Sequence, residues 1–154
     1  MPRIGEAIII PPKPVRYMNK FNRKLIYFGC WQSLAMAIYH FFIPFQFQWH
    51  NYITDTSPTI NWSLYALNNY FSFNLFVVAI LLLFHLKFRS DKIYTIKVLV
   101  VCILAFWIFS AIYQFILPMP LPKRLLWLQI ALPAIALFNT TLLGLPLLLD
   151  KNRE

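Results

Sequence analysis

Residues 62–86 run for 25 positions without a charge, and Lys87 and Arg89 close the run. About 20 apolar residues suffice for a helix to cross the hydrocarbon core of a bilayer. Three further uncharged runs cover residues 25–45, 98–117 and 125–149. Inside lipid the backbone polar groups must be satisfied within the segment, which a helix does by itself. The sequence therefore predicts an all-α integral membrane protein with four spans, at about 25–45, 63–86, 98–117 and 125–149. The connections are short, so the spans should form an antiparallel four-transmembrane-helix bundle. A basic tail (1–24) precedes this 25–149 domain, and a short tail (150–154) follows it.

The composition agrees. Of the 154 residues 60% are hydrophobic and 12% charged, against about 25% charged in a soluble domain. A net charge of +9 suggests nucleic acid in a soluble protein. Here the basic residues flank the apolar runs, so topology accounts for them and no nucleic-acid partner is expected. With the N-terminus inside, the first tail, the 87–97 turn and the last tail hold six, four and two Lys or Arg, and Lys123 and Arg124 alone fall outside. The positive-inside rule thus favours N-in and C-in. Trp49, Tyr52, Trp62 and Trp127 then fall near the outer interface, where amphipathic rings are favoured. No cleavable signal pattern follows the first apolar run. The expected location is a bacterial plasma membrane.

Three local readings refine this. Residues 8–14 carry Pro11, Pro12 and Pro14 and should be extended, against lipid headgroups. Residues 45–50, Phe-Gln-Phe-Gln-Trp-His, alternate with period two and should form a short extended segment. Pro133, Gly144 and Pro146 should bend or loosen the fourth helix.

Depth brings polar residues together. At 1.5 Å per residue, His40 lies ~22 Å above the inner end of its span and Gln114 ~24 Å above its own; Asn69 lies ~9 Å and Gln129 ~6 Å below their outer ends. All four fall in the outer third of a core about 30 Å thick. Asn68, Ser72, Ser110 and Tyr113 lie close to that level. Met36 shares a helix face with His40 and Gln32, at spacings of four. Polar side chains in hydrocarbon should face one another. They form either an interhelical hydrogen-bond clamp or a pocket for a ligand with a polar head. The pocket would use His40, Asn68, Asn69, Ser72, Tyr113, Gln114 and Gln129. All five acids, Glu6, Asp55, Asp91, Asp150 and Glu154, lie outside the spans. That disfavours a carboxylate-based proton carrier and an intramembrane aspartyl or metal-dependent protease.

Other chemistries are weaker. His40 and His85 differ by about 20 Å in height, so no haem shared between them is expected. His40, His50 and Asp55 could make a two-histidine, one-carboxylate metal site, on spacing alone. Cys30 and Cys102 form no C-x-x-C pair, and two buried free thiols is the simpler reading. No phosphate loop or nucleophile elbow is present. With three glycines, glycine-mediated helix crossings should be scarce. The chain departs from DoxX-like proteins, with their glycine-rich first helix, and from sterol-isomerase-like proteins, which rely on membrane-embedded acids.

Two functions follow. The favoured expectation is a non-enzymatic accessory or assembly subunit, packed against other membrane subunits or itself and against membrane lipids. The alternative is a lipid- or quinone-binding membrane protein, with an enzyme that uses His40 as acid or base as a subset.

Overall fold

The computed structural model describes residues 18–118 and 123–151. The 8–14 stretch, expected to be extended, Pro120, Pro122 and residues 152–154 lie outside the described residues. The protein is all-helical, with α1 at Lys20–Gln46, α2 at Trp49–Tyr52, α3 at Pro58–Phe88, α4 at Ile93–Ile116 and α5 at Leu128–Lys151. A 3-10 turn, Lys123–Leu125, precedes α5. Four of the helices, all except α2, are long and apolar enough to cross a membrane.

Helix ends follow local chemistry rather than charge. Asn19 caps α1, its Oδ1 accepting from Phe21 N at 3.2 Å. Ser57 precedes α3, with Pro58 at the first helical position, where a missing N–H costs nothing. The helix therefore starts five residues before the expected 63. Likewise α4 starts at Ile93 instead of 98, because Lys97 marks a membrane boundary and is itself a good helix former. Leu125 and Trp127, expected in the fourth span, lie in the 3-10 and turn segment before α5.

The 45–50 alternation is not extended, which corrects the period-two reading. The first helix runs through Gln46, and Phe47 N bonds Ile43 O at 2.9 Å. Gln48 then adopts φ 49°, ψ 48°, and one helical turn follows. Local helical bonds satisfy these backbone groups, which a lone extended segment cannot do.

Each long helix buries one stripe at spacings of three and four. On α1 it includes Ile26, Gly29, Cys30, Ser33 and Ala37, and on α3 Ser72, Leu75, Ala79, Leu82 and Leu86. On α4 it is Ile96, Val100, Ile103, Trp107 and Ala111. On α5 it is Ala136, Asn139, Leu143 and Pro146. The first helix packs on α3 and α5, and so does α4. The outward faces are apolar too: Phe28, Trp31, Phe42, Phe109 and Phe115 are all exposed. Water would oppose such a surface, whereas lipid accepts it.

The seams are pinned by polar contacts. Arg23 Nη2 donates to Leu86 O at 2.6 Å and Cys30 Sγ to Ala79 O at 3.1 Å. Across α1 and α5, Asn22 Nδ2 reaches Pro146 O at 3.4 Å and Gln32 Nε2 reaches Ile135 O at 3.5 Å. Pro133 and Pro146 both lie inside a continuous α5. The carbonyl of Pro146 itself is taken up by Asn22.

Candidate functional site

A cavity of about 580 Å³ opens where α1 and α4 end and α5 begins. Met36, Tyr39, His40 and Ile43 contribute from α1, with Phe47 just beyond it. Phe106, Trp107, Ser110, Tyr113, Gln114 and Leu117 come from α4, Phe71 from α3, and Leu128 and Leu132 from α5. From Trp107 to Leu117 the wall rises ~15 Å along the helix axis. Most of the wall is aromatic and aliphatic. Tyr39, His40, Ser110, Tyr113 and Gln114 supply polarity at positions along it.

Helix geometry places these groups. His40 stands four residues after Met36, on the same face, and its Nδ1 lies 2.9 Å from Met36 O. Its ring packs against Phe71 with centroids 5.2 Å apart. On α4, Gln114 Nε2 donates to Ser110 Oγ at 2.9 Å, one turn away. Gln114 Oε1 is buried and has no hydrogen-bond partner among the described residues. Among the described residues no Asp, Glu, Lys or Arg lines the cavity.

The residues singled out from depth divide into groups. His40, Tyr113 and Gln114 meet around the cavity, with Ser110. Asn68 and Ser72 stand behind it: Asn68 Nδ2 donates to His40 O at 2.9 Å, and Ser72 Oγ to Asn68 O at 2.6 Å. Asn69 points outward and is exposed. Gln129 is half-buried and outside the lining. Among the described residues no three of His, Cys, Asp and Glu gather around one point. His40, His50 and Asp55 are thus not brought into one donor set. His40 and His85 sit at opposite ends of the α1–α3 seam, marked by the Asn68–His40 and Arg23–Leu86 contacts. Both cysteines are free, Cys30 buried and Cys102 exposed.

A second polar group lies below the cavity and was not apparent from depth. Ser33 Oγ accepts from Trp107 Nε1 at 2.8 Å and from Asn139 Nδ2 at 2.9 Å, and donates to Gly29 O at 2.8 Å. Three helices meet at this one hydroxyl, and its capacity of one donor and two acceptors is filled. Gly29 lets α5 approach: a Cβ there would lie 2.9 Å from Asn139 Oδ1 and from Leu143 Cδ2. Trp107 belongs to both features, tying the hub to the cavity wall. The signal for the hub was present as small residues at spacing four, Gly29, Ser33 and Ala37, and as the polar Asn139-Thr140-Thr141 within the last apolar run.

No family model, no curated protein and no solved structure matches this chain. The functional reading therefore rests on the geometry itself.

Proposed function

We propose that this integral membrane protein binds one lipid- or quinone-like molecule, its polar head against His40, Ser110, Tyr113 and Gln114 and its apolar body along the remaining wall. The observation that carries the reading is the 580 Å³ cavity in which His40, Ser110, Tyr113 and Gln114, with the Tyr39 phenol, are set into a mainly apolar lining. Ligand sites commonly have volumes of about 300–1,000 Å³ and few convergent polar groups. Asn68 contributes by holding the His40 backbone, so it positions the ring rather than touching the ligand.

The topology that goes with this reading is N-in and C-in, with four helices of alternating direction. Low-numbered residues of α1 meet high-numbered residues of α3 and α5, as in Arg23 with Leu86 and Asn22 with Pro146, which supports it. So does the basic-residue distribution, with Lys123 and Arg124 the exceptions. On that orientation the cavity opens toward the outer leaflet.

The accessory-subunit reading gains nothing specific from the exposed aromatic faces, because a single chain in lipid exposes the same faces. The test is organic extraction of the purified protein and of a Ser110→Phe variant, which puts a ring into the cavity. A stoichiometric amphiphile released from the wild type and lost from the variant is the expected result. No amphiphile from either, with extra protein chains in the preparation, overturns the reading in favour of a subunit.

A further inference from the structure

The cavity's hydrogen-bonding capacity narrows the chemistry of its ligand, an inference that rests on the ligand-binding reading above. The nearest partner of His40 Nδ1 is the Met36 carbonyl, at 2.9 Å. A carbonyl only accepts, so the proton of a neutral ring sits on Nδ1 and Nε2 is left as an acceptor. A doubly protonated ring would call for a counter-charge, and no carboxylate lines the cavity. On the facing wall, Gln114 spends one amide proton on Ser110, while its Oε1 is buried without a partner among the described residues. Two acceptors from two helices thus face the cavity without a donor among the described residues, and of these Gln114 Oε1 is buried. Ser110 accepts the Gln114 proton and keeps its own O–H to give, as does Tyr113.

We propose that the site takes a neutral, hydroxyl-bearing amphiphile: a head that donates its proton to His40 Nε2 or Gln114 Oε1 and accepts from Ser110 or Tyr113. Phosphate and carboxylate heads fit poorly, because no cationic side chain lines the wall among the described residues. Keto and ether heads fit poorly as well, because they leave both acceptors orphaned, and a site built to bond a hydroxyl rejects the analogue lacking it. Two sources share the chemistry, a phenolic (quinol-like) ring and an aliphatic or sterol-like alcohol.

The experiment uses full-length protein in nanodiscs of saturated phosphatidylcholine, with binding followed by tryptophan fluorescence, since Trp107 lines the wall. Nonylphenol is compared with nonylanisole, and hexadecanol with its methyl ether. Within each pair a methyl group replaces the hydroxyl proton, so only the first member can donate. At least one hydroxyl probe should bind about tenfold or more tighter than its ether, since leaving buried acceptors unpaired costs that much. The tighter-binding pair identifies the source as phenolic or aliphatic. In His40→Phe, which keeps a ring and removes the nitrogens, or in Gln114→Met, which removes the amide oxygen, the hydroxyl-to-ether ratio should fall toward one. Merely structural roles for both residues would weaken both probes and leave the ratio unchanged in both variants, which overturns the proposal. Equal binding of hydroxyl and ether in the wild type also overturns it, while leaving the cavity reading intact. Binding of none of the four probes overturns both.

Discussion

Ser33→Ala is the sharpest test of what holds the helices in register. The substitution removes one oxygen, so the volume change is small. Its cost comes from the partners: Trp107 Nε1, 2.8 Å away, and Asn139 Nδ2, 2.9 Å away, both lose their acceptor. Interhelical hydrogen bonds in membranes average about 0.6 kcal/mol and reach about 1.7. Two of them give about 1.2 to 3.4 kcal/mol on that scale. A buried donor left unpaired costs about 1–3 kcal/mol on the scale of water-soluble proteins. The membrane scale is the better guide, because the unfolded chain in lipid also finds partners. The indole N–H has little alternative, since Trp107 is 2% exposed. The expected loss is therefore about 1–3 kcal/mol, read as equilibrium unfolding in mixed micelles with rising dodecyl sulfate and followed by circular dichroism. A double-mutant cycle with Trp107→Phe should give a coupling of about 0.6–1.7 kcal/mol. A Ser33→Ala protein as stable as the wild type, with no coupling to Trp107, would refute the hub.

Three more outcomes are expected. Gly29→Ala should destabilise by about 1–3 kcal/mol through overpacking, whereas Gly144→Ala, whose Cβ would meet nothing closer than Leu104 at 3.8 Å, should be neutral or slightly stabilising in the same unfolding assay. Cys30 should react with a membrane-permeant maleimide only after unfolding, measured by intact mass; early reaction of Cys30 would contradict its burial. Reporters fused to either terminus should both read cytoplasmic, and a periplasmic signal at either end would break the proposed topology.

The four long helices were legible because charge-free runs report directly on what a bilayer tolerates. Their ends were less so: Lys97 and residues 58–62 are polar enough to look like loop yet continue helices. Depth was readable from 1.5 Å per residue, and it brought His40, Tyr113 and Gln114 to one level. Rotation was harder. Asn68 and Asn69 differ by one residue, about 100° around a helix, so Asn68 reaches His40 and Asn69 is exposed. Gln129 sits at the right height, but the cavity wall there is made by Leu128 and Leu132. Ser33 and Trp107 do not stand out in an apolar run, and their pairing needs two helices packed so that Trp107 Nε1 reaches Ser33 Oγ at 2.8 Å.

The most direct test of the account is native mass spectrometry of the wild-type protein extracted in mild detergent from its source membrane. The account predicts one chain carrying one extra mass of lipid or quinone size, displaced by an added hydroxyl amphiphile. Stoichiometric additional protein chains with no small-molecule mass would contradict it, and the cavity would then be part of an assembly contact.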